Sequence, residues 1–89
     1  MVRKEITIMN ELGLESKTAA MLIQKASNYK SSVWIEKGDR KANAKSLLGI
    51  LSLGIASGTK VALILEGEDE EKAANELEEY AKAGFGESV

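Results

Sequence analysis

Cysteine and histidine are both absent from this 89-residue chain. Without them there is no disulfide staple and no thiolate or imidazole metal site. Zero cysteine also fits a reducing interior. The missing histidine excludes Ser–His and Cys–His nucleophilic arrangements and any phosphohistidine intermediate within this chain. Metal-ligand spacings, Walker loops and dinucleotide glycine patterns are missing too. These gaps predict a protein that is not an enzyme and uses neither metal nor cofactor. No apolar run approaches the roughly 20 residues that span a bilayer. Met1-Val2-Arg3-Lys4-Glu5 passes straight into alternating residues, without the apolar stretch of a leader. A cytoplasmic protein with no membrane contact is expected.

Positive charge is also in short supply. Twelve Lys and Arg face fourteen Asp and Glu, for a net charge of −2. The cations are scattered, and the stretch from Glu66 to Glu79 is acidic, so direct nucleic-acid binding is not expected. What the chain does have is 44 % hydrophobic residues, enough for one aliphatic core. A single domain over residues 1–89 is expected.

Val2 to Asn10 alternates as a strand, with Ile6 and Ile8 on one face. Glu11 to Leu14 breaks it. Helical spacing follows from Thr18 to Ser27, where Ala19, Leu22, Ile23 and Ala26 form one stripe, opened by Glu15 or Ser16. Val33-Trp34-Ile35 alternates again, and Lys37 to Arg40 is a turn into a short second arm, Ala42 to Ala44. Trp34 points opposite Val33 and Ile35 and is expected to be half-exposed in a cross-strand contact. A short helix follows Ser46 and ends near Leu53-Gly54. Lys60 to Glu66 is a mostly buried strand. Asp69 is expected to cap a last helix with the stripe Ala73, Leu77, Tyr80 and Ala81, ended by Gly84 and Gly86. The order β-α-β-β-α-β-α predicts an α+β open-faced β-sandwich, a four-stranded sheet with three helices on one face.

Lys45 to Gly54 carries the strongest functional signal. Ser46 is a hydroxyl at a helix start, where unpaired N–H groups and the helix dipole favour an added phosphate. Leu47, Leu48 and Leu51 are spaced to share one face beside it. That combination reads as a modifiable cap next to a docking patch, with Lys45 as a neighbouring charge.

The whole chain resembles HPr, the small phosphocarrier of the bacterial sugar phosphotransferase system. The resemblance runs through Gly13-Leu14, Asn43-Ala44-Lys45-Ser46 and Gly67-Glu68-Asp69-Glu70, each ahead of a helix. In that family the second stretch carries a serine phosphorylated by a dedicated kinase, which corresponds to Ser46. The first stretch departs. The family reads Gly-Leu-His-Ala-Arg-Pro-Ala, with the histidine accepting the phosphoryl group. Here Glu15, Ser16, Lys17 and Thr18 stand in place of His-Ala-Arg-Pro. A carboxylate has no neutral nitrogen nucleophile, and lysine lacks the bidentate fork of arginine.

The loss of histidine, with Glu36-Lys37 and Gly67 to Glu71, is similar to the Crh-type branch of the family, which acts in carbon catabolite repression. The resemblance implies a non-catalytic regulatory module switched at Ser46. Its implied partners are the HPr kinase/phosphorylase and a LacI-type, CcpA-like repressor, with Enzyme I as a non-productive binder. A monomer or weak dimer is expected. Two alternatives stand beside this. One is a phosphocarrier-type component of the phosphotransferase system with a degenerate loop. The other is an enzyme built on Glu15, Ser16 and Lys17, which adjacent helical positions disfavour because they face apart.

Overall fold

The alternation at the amino terminus produces β1 (Val2–Thr7), with Ile6 buried and Glu5 and Thr7 exposed, in the computed structural model, which describes residues 1–86. The strand stops three residues before the expected Asn10. Its neighbour β4 (Lys60–Glu66) begins at Lys60, paired with Thr7, so the ladder runs out of partner there. Ile8 stays buried by bonding the preceding turn. Its N–H donates to Thr59 O at 2.9 Å, and its carbonyl accepts from Gly58 N at 2.7 Å.

Helix α1 (Ser16–Ala26) opens at Glu15 and Ser16, as expected, and buries Thr18, Ala19, Leu22 and Ala26. Strands β2 (Ser32–Lys37) and β3 (Arg40–Asn43) form a hairpin across Gly38, whose φ of 62° suits glycine. Helix α2 (Leu47–Ser52) is short, and α3 (Glu70–Lys82) is the longest element. The last turn, Gly84–Gly86, tucks Phe85 edge-on against Tyr80 at 5.7 Å.

The sheet order is β1-β4-β2-β3, antiparallel throughout. This is the expected α+β open-faced sandwich. Ile6, Val33, Ile35, Ala42, Val61, Leu63 and Leu65 join the buried stripes of all three helices in one core. The other sheet face is covered mostly by its own side chains. The register puts Arg3, Ile64 and Trp34 in one row, with Glu5, Ala62 and Glu36 in the next. Arg3 Nη1 reaches diagonally across β4 to Glu36 Oε1 at 2.8 Å, and Ala62 on that face is buried. Lys41 Nζ lies 5.2 Å above the ring of Trp34, which is 36 % exposed, as its position in the alternation predicts. Among the described residues, no helix is long and apolar enough to cross a membrane.

Candidate functional site

Two helix starts carry the residues singled out by the sequence. At the first, backbone rather than side chain provides the anchor. Gly13 takes φ 71° and packs so tightly that a Cβ would lie 2.3 Å from the Ile55 carbonyl oxygen. That carbonyl accepts from Leu14 N at 2.9 Å, which fastens the loop to the segment leaving α2. Glu15 then occupies the N-cap position in extended geometry, and its carbonyl accepts the first helical bond, from Ala19 N at 2.7 Å. Glu15 thus opens the helix through its backbone, not its side chain. The Glu15 carboxylate accepts no capping bond among the described residues, and Ser16 lies inside the helix. Glu15, Ser16 and Lys17 are exposed while Thr18 is buried, so the four do not converge on one reacting atom. No cluster of acidic residues suited to a metal ion occurs among the described residues.

At the second start, Ser46 has the extended backbone of a cap (φ −116°, ψ 118°), and its Oγ accepts from Gly49 N at 3.2 Å. Asn43 braces the approach. Its side-chain oxygen accepts from Lys45 N at 2.8 Å and its carbonyl from Ser46 N at 3.0 Å. The far end of α2 is held by cations from the β2–β3 hairpin. Arg40 donates to Ser52 O at 2.8 Å, and Lys37 to Leu53 O and Gly54 O at 3.1 and 2.9 Å, complementing the negative end of the helix.

Two expectations around Ser46 need correction. Leu47 and Leu48 are exposed, at 40 % and 81 %, but Leu51 is half-buried and packs on the core. The open patch is a pair of leucines, because one turn on from Leu47 the helix has rolled against the body of the protein. Lys45 is not a free docking charge. Its ammonium donates to Tyr29 O at 3.0 Å and Ser31 O at 2.9 Å.

Those carbonyls belong to a cluster that spacing alone did not reveal. Asp69, expected to cap α3 with its side chain, makes no such bond among the described residues. It reaches instead across to the loop before β2. There its carboxylate accepts from Lys30 N and Ser31 N, both at 2.9 Å, and from the Ser31 hydroxyl. The Ser31 hydroxyl first, and then the Lys30 N–H, hold its carboxyl down to about 2. Nearby, the Tyr29 hydroxyl donates to Glu76; burial, and then that carboxylate, push its ionisation well above the usual tyrosine value. Ser31 and Tyr29 sit in a polar stretch that offers no periodicity, and only the fold brings them to Asp69 and Lys45.

A family described as the PTS HPr component phosphorylation site matches residues 2–83. The HPr-like protein Crh of Bacillus subtilis (strain 168) is 39 % identical over 82 residues, spanning 92 % of this chain and 96 % of its own. The phosphocarrier protein HPr of Neisseria meningitidis serogroup A is 38 % identical over 87 residues, 98 % of each chain. Among solved structures, HPr-C-His from Thermoanaerobacter tengcongensis superposes with a TM-score of 0.94 at 43 % identity, over the whole of both chains.

Proposed function

The chain belongs to the HPr family, whose members are phosphocarriers and regulators rather than catalysts, and we propose that it is a regulatory module switched by phosphorylation of Ser46 in carbon catabolite control. The observation that carries this reading is the contrast at its two helix starts. The chain holds no histidine to relay a phosphoryl group, while Ser46 caps α2 directly beside exposed Leu47 and Leu48. In the proposed step, the Ser46 oxygen takes the terminal phosphoryl group of ATP, releasing ADP and the hydroxyl proton. The new charge of about −1.5 to −2 faces the N–H groups of the first turn of α2 and the positive end of its dipole. A repressor that reads phosphate and leucines together then gains a site that either feature alone does not provide.

The proposed partners are the HPr kinase/phosphorylase and a LacI-type, CcpA-like repressor, with Enzyme I binding non-productively. The protein works as one domain over residues 1–89, in the cytoplasm, as a monomer or weak dimer. A phosphocarrier role is the second reading, favoured by near-complete coverage of a curated HPr and opposed by Glu15 in place of the acceptor. Intact mass decides between them. Kinase plus ATP should add one phosphate to the protein and none to Ser46→Ala, while Enzyme I plus phosphoenolpyruvate should add none to either. Labelling by Enzyme I, or wild-type phosphate uptake by Ser46→Ala, overturns the regulatory reading.

A further inference from the structure

The Tyr29–Lys30 peptide group is held at both ends by full charges. Its N–H points at the Asp69 carboxylate, 2.9 Å away, and its carbonyl accepts from the Lys45 ammonium at 3.0 Å. Ser31 also meets both charges, through two different peptide groups. Its N–H and hydroxyl face Asp69, and its carbonyl takes a second bond from Lys45, at 2.9 Å. Ser31 is fully buried, and the backbone on the Asp69 side is pressed against it. Gly67, at φ 153°, would place a Cβ 2.6 Å from Ser31 Cα.

We propose that Asp69, the Tyr29–Ser31 backbone and Lys45 form a charge-terminated relay that positions Ser46, so that the start of α3 controls how the hydroxyl at the start of α2 is presented. An anion at the N–H end of a peptide polarises it and strengthens the bond its carbonyl accepts, so the two charges support one another through the amide. Lys45 immediately precedes Ser46. Its pinned ammonium and its own N–H, bonded to Asn43 Oδ1, fix the chain direction entering the cap. The Ser46 Oγ to Gly49 N bond is long at 3.2 Å, so a small shift of Ser46 against the first turn of α2 weakens it. Asp69 and Lys45 are thus positioning residues that act on Ser46 from below the surface it presents. This deepens the Ser46 switch and rests on it for its functional meaning.

The test is amide hydrogen exchange of Gly49 in the full chain, with Leu63 in β4 as the reference for global opening. Asp69→Asn should accelerate Gly49 relative to Leu63 roughly tenfold, the weight of a charge-assisted hydrogen bond. Lys45→Met should do the same, the double variant should add little to either single change, and Lys45→Arg, which keeps donors, should retain most of the protection. Additive effects of the two single changes, or Gly49 and Leu63 accelerating together, overturn the relay. If Asp69→Asn does not fold, Ser31→Ala takes its place, keeping both N–H contacts to Asp69, with a smaller acceleration expected and the same overturning results. With HPr kinase, Lys45→Met should raise KM for Ser46 several-fold at unchanged kcat, and an unchanged KM overturns positional control. The exchange arm needs no kinase. A wild-type protein that takes up no phosphate therefore removes the Ser46 switch, while exchange alone decides the relay.

Discussion

The starts of α1 and α2 solve one problem in opposite ways. Each must satisfy the N–H groups of a first helical turn. Helix α2, six residues long, uses a side-chain cap at Ser46, a braced approach through Asn43 and Lys45, and borrowed cations at its far end. Helix α1, eleven residues long, buries a full stripe and is fastened by the backbone of Gly13 and Leu14, so the side chain at Glu15 is released from structural duty. A helix secured by packing can change its first residues freely, whereas a helix too short to secure itself cannot. Glu15 lies in the permissive place, and Ser46 in the demanding one.

The strongest attack on this contrast is Gly13→Ala. If α1 is anchored through backbone, the strained φ and the collision with Ile55 should cost about 3 kcal/mol in chemical denaturation; a loss below about 1 kcal/mol would move the anchor elsewhere. Next in size is Asp69→Asn, which removes the charge and one of the two oxygens that accept the three bonds linked to α2 through Lys45. The fold holds the Asp69 carboxyl at about 2, below its ordinary 3.8. Its stabilising contribution is therefore complete above the ordinary value and is lost as pH falls toward 2. The variant should lack that part of the acid limb, and identical acid titrations of the two proteins would contradict it. Ser46→Ala should cost about 1 kcal/mol through the lost cap, read as a shift in denaturation midpoint. Glu15→Ala should stay within about 0.5 kcal/mol. If the order of the last two were reversed, the comparison itself would fail.

Most of the fold was readable from periodicity. Alternation at Val33 to Ile35 and in Lys60 to Glu66, and helical spacing at Ala19, Leu22 and Ala26, are local signals of which face is buried. Ser46 was readable because a cap and its helix are adjacent in sequence. Contacts between distant segments were not. Asp69 has the chemistry of a cap and stands where a cap belongs, yet the Lys30 and Ser31 N–H groups, brought in by the fold, compete for its carboxylate and win. Lys45 looks like any surface lysine until the carbonyls of Tyr29 and Ser31 are beside it. Leu51 follows helical spacing faithfully, but spacing alone does not say where the apolar stripe of a six-residue helix meets solvent.

Trp34 is the only tryptophan of the chain, and it sits on the outer face of β2, under the Lys41 ammonium. The same hairpin carries Lys37 and Arg40, the cations that hold the far end of α2. The protein therefore contains its own optical gauge. A half-exposed indole with a charge above its ring emits according to whether β3 lies against β2, so intrinsic fluorescence, with no label added, reports whether the hairpin that steadies α2 is closed.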